Sequence, residues 1–266
     1  MSMTDNTNAR LEGIYRYPIK GLTAESLASV ELKPEQTLPF DRAYAFANGP
    51  GPFDPNAPKH LPKMHFVMLM RNEQLAAIRA NFNDATQVLT LYQDGHDVAR
   101  GDLTTAEGRA ALEAAIARVV TTGLRGTPRI VASPGHSFSD VSAKCVHIIN
   151  LESVRALEAK MGTTLDPLRF RPNLIIDGLP AWSELDMLGH KLRVGEAVLE
   201  IFKRTERCAA TNVNPTTALR DQKIPSFLSR TYGHTDFGVY ARVIEGGYIT
   251  KGNAVTISEA ASSQQQ

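Results

Sequence analysis

Cysteine is scarce: Cys145 and Cys208 are the two thiols in 266 residues. Two are too few for a disulfide scaffold or for the four thiolates of an iron–sulfur cluster. An excess of one charge is also missing. The 29 Lys and Arg nearly cancel the 28 Asp and Glu, leaving a formal net charge of +1. A nucleic-acid partner is therefore not expected, because a phosphate backbone needs a concentrated basic face. No apolar run approaches the length of a membrane span, the stretch FVMLM at 66–70 being typical of the longest. The opening MSMTDNTNAR has no apolar core of a signal peptide, so the chain reads as cytoplasmic with reduced thiols. Four common signatures are absent: GxGxxG, GxxxxGK[ST], HExxH and GxSxG. No histidine pairs with a cysteine at structural-zinc spacing. These gaps argue against nucleotide loops, zinc proteases and serine hydrolases, and turn attention to polar residues inside apolar segments.

What is present suits a globular core. Apolar residues make up 42% and charged residues 21%, and the length allows one large domain or two ordinary ones. Residues 11–47 read as three short strands (LEGIYRYPIK, ESLASVELK, DRAYAFAN). Residues 49–63 form a Pro/Gly/Asn loop, and 64–82 read equally as helix or strand. VLTLYQDGHDV has the pattern of a hairpin turning at Asp94-Gly95. A helix is predicted from Thr104, with Thr104 and Glu107 as a capping box and Leu112, Ala115, Ile116 and Val119 on one face. The Gly/Pro/Ser-rich stretch 122–137 marks a domain boundary. A second helix follows Asn150, carries Leu151, Val154, Leu157 and Met161 on one side, and stops at Gly162. Strands then return at LRFRPNLIID, KLRVGEAVLEIFKRTERC, FGVYARVI and GYITKGNAVTI, with a short helix at 225–233. Many short strands with few helices point to a barrel or sandwich with α additions. The tail after residue 258 is small and polar, and is expected to be disordered.

Three segments break the apolar pattern. Tyr17-Pro18-Ile19-Lys20-Gly21 ends a strand with a lysine. Arg169-Phe170-Arg171-Pro172-Asn173 sets two cations and an amide before the apolar run LIID. Arg204 to Pro215, RTERCAATNVNP, ends a strand in a basic, thiol-containing, turn-prone stretch. A thiolate is the competent form of cysteine, and Arg207 puts positive charge beside Cys208. Guanidinium groups offer paired coplanar donors suited to phosphate. Each feature has a structural alternative: a small buried cysteine, a solvated arginine, an ordinary Asn-Pro turn. Cys145 and His147 alternate with Val146 and Ile148, so Cys145 reads as a core residue.

Taken in order, YPIKG, LPFDRAYAF, RFRPNLIIDG, a W-x-E, RVGEAVLEI, RTERCAATNVNP and GYITKGNAV resemble the MOSC family over nearly the whole chain. The chain is similar to bacterial relatives of the mitochondrial amidoxime reducing component. The resemblance implies an α+β, β-rich fold: a MOSC N-terminal β-barrel-like domain at 10–124 and a MOSC β-barrel domain at 125–258, with a few helices. It implies a molybdenum cofactor (molybdopterin), with Cys208 as molybdenum ligand and catalytic residue. By motif, the cofactor falls to Lys20, Arg42, Arg171, Asn173, Arg207 and Tyr240, with Asn173 also catalytic. The implied activity is two-electron reduction of an N–O bond in a small N-hydroxylated substrate, the oxygen leaving as water. Electrons would come from a separate electron-transfer protein, since no ferredoxin-like module precedes Gln266. A sulfur carrier with a persulfide on Cys208 is the alternative. Two departures stand out: Gly21 replaces the serine of the mitochondrial relatives, and Ala218 replaces a usual glycine after Asn214-Pro215. If Arg171 and Asn173 lie in one strand, their side chains share a face. Lys20 and Arg42 are expected to meet Cys208 in a cleft between the two parts.

Overall fold

The structure is a computed structural model that describes residues 8–258; the tail 259–266, expected to be disordered, lies outside the described residues. Strands β1 (Arg10–Arg16), β2 (Glu25–Leu27), β3 (Ser29–Leu32) and β4 (Tyr44–Ala47) come first. A meander follows: β5 (Arg79–Asn83), β6 (Val88–Gln93) and β7 (His96–Asp102). Helix α1 (Ala106–Val119) leads to β8 (Arg129–Ala132). Then come β9 (Val146–Asn150), α2 (Leu151–Met161), β10 (Leu174–Asp177), β11 (Lys191–Val194) and β12 (Ala197–Glu206). Helix α3 (Ile224–Tyr232), β13 (Asp236–Glu245), β14 (Gly247–Thr250) and β15 (Val255–Ser258) complete the order.

The main sheet runs β15-β11-β12-β13-β9-β10-β1-β2. It curls until its ends meet. Arg10 bridges Ala254, and Leu11 and Val255 donate to the carbonyls of Asn253 and Ala9. β1 thereby closes a barrel whose other staves all come from beyond residue 145. The barrel core unites Leu11, Ile14, Val30 and Leu32 with Ile148, Leu199, Ile201 and Val239. A second core (Ile19, Leu22, Phe46, Leu89, Leu112, Ile116 and Ile130) lies under α1, the β5-β6-β7 meander and the β4-β8 pair. The polypeptide leaves the barrel core for the second core at residues 16–19 and, having returned between Leu22 and Leu27, again near 38–44; residues from both passages line the site.

Local signals explain most elements. Asp94 and Gly95 both have positive φ, as a tight hairpin turn between β6 and β7 requires. Asn150 caps α2 by accepting from the Glu152 N–H, and Gly162 ends it at φ 67°. The α1 start differs from the expected one: Thr105, not Thr104, is the N-cap and accepts from Gly108 N–H. Thr104 is instead held by Asp102, whose carboxylate accepts from both its N–H and its hydroxyl. The segment 64–82 resolves into short 3-10 turns at Lys63–His65 and Glu73–Ala77, then β5. LRFRPN is not strand as expected. Asp166 accepts from the Leu168 N–H and Pro167 fixes φ, so Pro167–Phe170 coils as a 3-10 turn and the strand starts only at Leu174. Among the described residues no helix is long and apolar enough to cross a membrane.

Candidate functional site

The segment Tyr17–Gly21 leaves β1 and runs beside the start of β4. Tyr44 N–H donates to Pro18, and Lys20 N–H donates to Tyr44. Arg42 N–H donates to the Tyr17 carbonyl at 2.7 Å. This pairing, not sequence proximity, sets Lys20 and Arg42 side by side. Gly21 has φ 87°, a conformation that costs any residue with a Cβ, so glycine suits this position. From the other core, β12 carries register shifts near Ile201 and Arg204, and it delivers Arg207 and Cys208 just past its end. Cys208 caps a 3-10 turn at Ala209–Asn212, its carbonyl accepting from Thr211 N and Oγ1. Ala218, in the same loop, takes φ 58° where the family's glycine would be at ease; its N–H still reaches Asn214 at 2.9 Å, so the turn closes.

These elements enclose one cavity of about 270 Å³ between the two cores. Its walls include Lys20, Arg42, Arg171, Asn173, Arg207, Cys208 and Tyr240 together. The free thiol of Cys208 is half-buried there. Cys145, read from the sequence as a core residue, is buried but also forms part of the wall. Burial pushes its thiol up to about 12, so it stays protonated at neutral pH. Asn173 has both ends of its amide engaged: Oδ1 accepts from His147 N–H and Nδ2 donates to the Tyr15 carbonyl. Arg171 and Asn173 do not share a strand face. Arg171 sits in the left-handed turn that ends the 3-10 segment, φ 53°, and each side chain reaches the cavity on its own path.

The cations of this wall differ in their partners. Lys20 is buried, donates to the Phe138 carbonyl and pairs with Asp140, which also lies 3.8 Å from Lys63. Desolvation opposes the Asp140 charge, but Lys20 outweighs it and holds the carboxyl at about 2. Arg42 pairs with buried Asp41 and lies over the Tyr17 ring at 4.7 Å. Desolvation disfavours the Arg42 charge, and the Asp41 carboxylate more than restores it. Arg169 is buried and ion-paired to Asp221 at 2.7 Å. Arg171 and Arg207 form no salt bridge among the described residues. Arg171 donates once, to the Leu22 carbonyl, and lies 4.1 Å from the Tyr17 ring; its Nη2 is buried without a partner. Desolvation pushes it down to about 10. Arg207 donates to the Phe170 carbonyl and to His147 Nε2, while its Nε is buried and unpartnered. Thr205 Oγ1 on the same wall is likewise unsatisfied. Buried cations without counter-charge cost several kcal/mol, on the order of that magnitude per ion. Two of them facing one cavity fit an anionic ligand.

Sequence reasoning missed Asp41, Asp140 and His147 as parts of this wall, and Tyr17 as the ring against which Arg42 and Arg171 lie. Tyr17 and Asp41 stood inside the quoted motifs YPIKG and LPFDRAYAF, so adjacency to Lys20 and Arg42 was an available signal. Asp140 lay in the stretch between the predicted elements and carried none.

Residues 133–256 match the MOSC domain, and residues 8–128 match the MOSC N-terminal beta barrel domain. The chain belongs to the MOSC family. No curated protein matches it. Among solved structures, the MOSC chain is similar to YiiM from Geobacillus stearothermophilus at 23% identity, covering 44% of this chain and 56% of that one, with a TM-score of 0.35. It thus spans little more than half the length of that protein. The YUAD protein of Bacillus subtilis is 14% identical over 94% of each chain, TM-score 0.44. YiiM from Escherichia coli is 20% identical over 44% of this chain and 55% of that one, TM-score 0.34.

Proposed function

We propose that the cavity binds a molybdenum cofactor and that the MOSC chain uses it to reduce N–O bonds of small N-hydroxylated compounds. The observation that carries the reading is the pair of buried, unpaired guanidiniums of Arg171 and Arg207 on the wall that also bears the accessible Cys208 thiol. The donor set fits such a group. Arg171 and Arg207 take its phosphate, with Lys20 and Arg42 extending the positive wall. Cys208 offers one soft thiolate, which suits a metal already held by a dithiolene. Among the described residues no group of three or more His, Cys, Asp or Glu could hold a metal ion, so a metal here must draw most of its ligands from the organic cofactor.

When bound, the cofactor supplies two-electron redox chemistry at a sulfur-ligated molybdenum. The overall change consumes two electrons and two protons, converts an N–OH to an N–H and releases water. Cys145, protonated and buried, takes no part as a ligand. Asn173 acts by fixing the backbone beneath Arg171 through its bonds to His147 and Tyr15, which makes it a positioning residue in this reading. A separate electron-transfer protein provides the electrons.

The test measures molybdenum content and pterin fluorescence after oxidation in isolated protein, then reduction of an amidoxime with an artificial reductant. Molybdenum and pterin in near-equal amounts to protein are expected. Cys208→Ser exchanges a soft donor for a harder one and is expected to abolish reduction while pterin stays bound. Cys145→Ser is expected to change activity little. Full activity in the Cys208 variant, or without molybdenum, refutes the reading. A transferable persulfide on metal-free protein would mark Cys208 as a sulfur carrier instead.

A further inference from the structure

We propose that His147 is a positioning residue that aims both unpaired guanidiniums into the cavity. It lies in β9, a strand with every residue buried, and is itself 4% exposed. Its ring is used at both nitrogens. Nε2 stands 3.3 Å from Arg207 Nη1, and because a guanidinium can only donate, Nε2 is the acceptor. Nδ1 stands 3.2 Å from the Arg171 carbonyl and therefore carries the proton it donates. These two contacts assign one neutral tautomer. Burial, followed by the Arg207 charge, disfavours the protonated ring, in keeping with that assignment.

The consequence is geometric. Arg207 has its Nη2 fixed on the Phe170 carbonyl and its Nη1 on His147, which leaves Nε as the donor without a partner. The Arg171 carbonyl accepts from both His147 Nδ1 and Arg42 Nη2, so the left-handed turn at Arg171 is pinned from two sides. The Asn173 amide ties the same turn to the backbone of His147. The ring packs 5.3 Å from Tyr240, and Gly238 leaves it room: a Cβ there would sit 3.0 Å from Nε2. One imidazole thus links the arginine next to the thiol with the turn that presents the second arginine. Partners of this kind, which orient groups that touch a ligand, commonly matter about 10- to 100-fold in affinity.

The inference rests on the anion-holding role given above to Arg171 and Arg207. Its test compares His147→Gln, His147→Asn and His147→Leu in the full chain. Glutamine keeps an acceptor long enough to reach Arg207. Asparagine keeps a donor for the Arg171 carbonyl but is too short for Arg207. Leucine keeps neither. Pterin content is expected close to wild type in the Gln variant and about 10-fold or more lower in the Asn and Leu variants. Thermal stabilisation by inorganic phosphate is expected to follow the same order. A merely structural role predicts no rescue by Gln, and Gln falling with Asn overturns the proposal. So does wild-type pterin content in folded Asn or Leu protein. If Leu does not fold, the Gln–Asn comparison between two polar variants decides. Absence of pterin and molybdenum from wild-type protein would defeat the cofactor reading. The phosphate series would then still judge His147, and equal stabilisation of all variants, or none of wild type, overturns its role.

Discussion

Arg169 and Arg171 stand two positions apart in one motif and meet different fates. Both line the cavity and each keeps one buried nitrogen without a partner, but Arg169 is ion-paired to Asp221 and donates to the Asn212 carbonyl, whereas Arg171 has no carboxylate partner among the described residues. The spacing R-F-R gave no means of telling them apart, because the difference comes from Asp221, which the fold brings in from fifty residues away. The two arginines should separate by experiment. Arg169→Ala breaks a buried pair and is expected to cost about 2 kcal/mol or more in denaturant unfolding. Arg171→Ala removes a buried cation that lacks a counter-charge, so cofactor-free protein should lose little stability while pterin content falls. A stability loss equal to that of Arg169→Ala, with pterin retained, would make Arg171 structural. His147 yields a pH dependence of definite sign. Its folded-state ionisation lies well below the ordinary value, while an unfolded imidazole gains its proton near about 6.5. The unfolded state therefore binds more protons below that pH, and the contribution to stability is complete above it and declines as pH falls. Burial lowers the folded-state ionisation most, the charges of Arg207 and the more distant Arg42 push the same way, and hydrogen bonding to the Arg171 and Phe237 backbone opposes them. Unfolding free energy should drop between about pH 6.5 and 5 in wild type and drop less steeply in His147→Gln; parallel slopes for the two proteins would show that His147 titrates normally.

Elements were legible where the signal was local. The α2 cap at Asn150 and stop at Gly162, and the hairpin at Asp94-Gly95, lie within a few residues of what they control. Where two local signals competed, the reading slipped. Thr104 and Thr105 both precede α1 with capping chemistry, and Asp102 holds the first, leaving Thr105 as the cap. LRFRPN has β-type residues but follows the Asp166-Pro167 cap, and the cap won. β9 set another limit: alternation in KCVHII marked Cys145 as a core residue, and it is buried, but the strand lies between β13 and β10 with both faces covered. Which covered face borders a cavity is a property of the closed sheet, so the role of His147 could not be read from its neighbours. Close approach of elements was also invisible. At the start of α1, a Cβ on Gly108 would meet the Asp102 carbonyl oxygen at 2.2 Å, and one on Gly101 would meet Gly108 at 2.0 Å. Helix and strand touch there through bare backbone. Gly108→Ala, favourable for an isolated helix, should instead destabilise by about 1–3 kcal/mol through overpacking. Equal or higher thermal stability in that variant would show that the contact can open without cost.

At the scale of the molecule, the site exists because the chain runs twice from the barrel core into the second core, at residues 16–19 and near 38–44. β1 is a stave of the barrel built by the later strands, and residues 17–21 carry straight on from it into the other core. Lys20 therefore has little freedom to drift from Cys208, and the ordered series of motifs along the sequence becomes a cluster in space. One side chain ties the remaining gap. Arg220, after the Cys208 loop, donates from Nη1 to the Ala209 carbonyl and from Nη2 to the carbonyls of Leu69 and Met70 and to Glu73. Leu69 and Met70 belong to the cavity wall, and Ala209 is the residue after the thiol. The guanidinium thus pins the wall contributed by the N-terminal part to the loop that carries Cys208. It is about one-third exposed, so its ion pair with Glu73 contributes little to global stability, of the order of 1 kcal/mol or less. Its geometric effect is larger, because lysine can offer one point charge but not this set of donors. Arg220→Lys and Arg220→Ala are expected to leave the unfolding transition within about 2 kcal/mol of wild type. Both should release pterin faster when protein loaded with the proposed cofactor is diluted, since opening the wall no longer breaks the Nη2 contacts to Leu69, Met70 and Glu73. Glu73→Gln, which keeps the carbonyl contacts, should release it at nearly the wild-type rate. If all three variants lose pterin as slowly as wild type, the wall is held by packing around Leu69 and Met70 and Arg220 is a surface residue. If Glu73→Gln is as fast as Arg220→Ala, the ion pair rather than the carbonyl contacts closes the cavity.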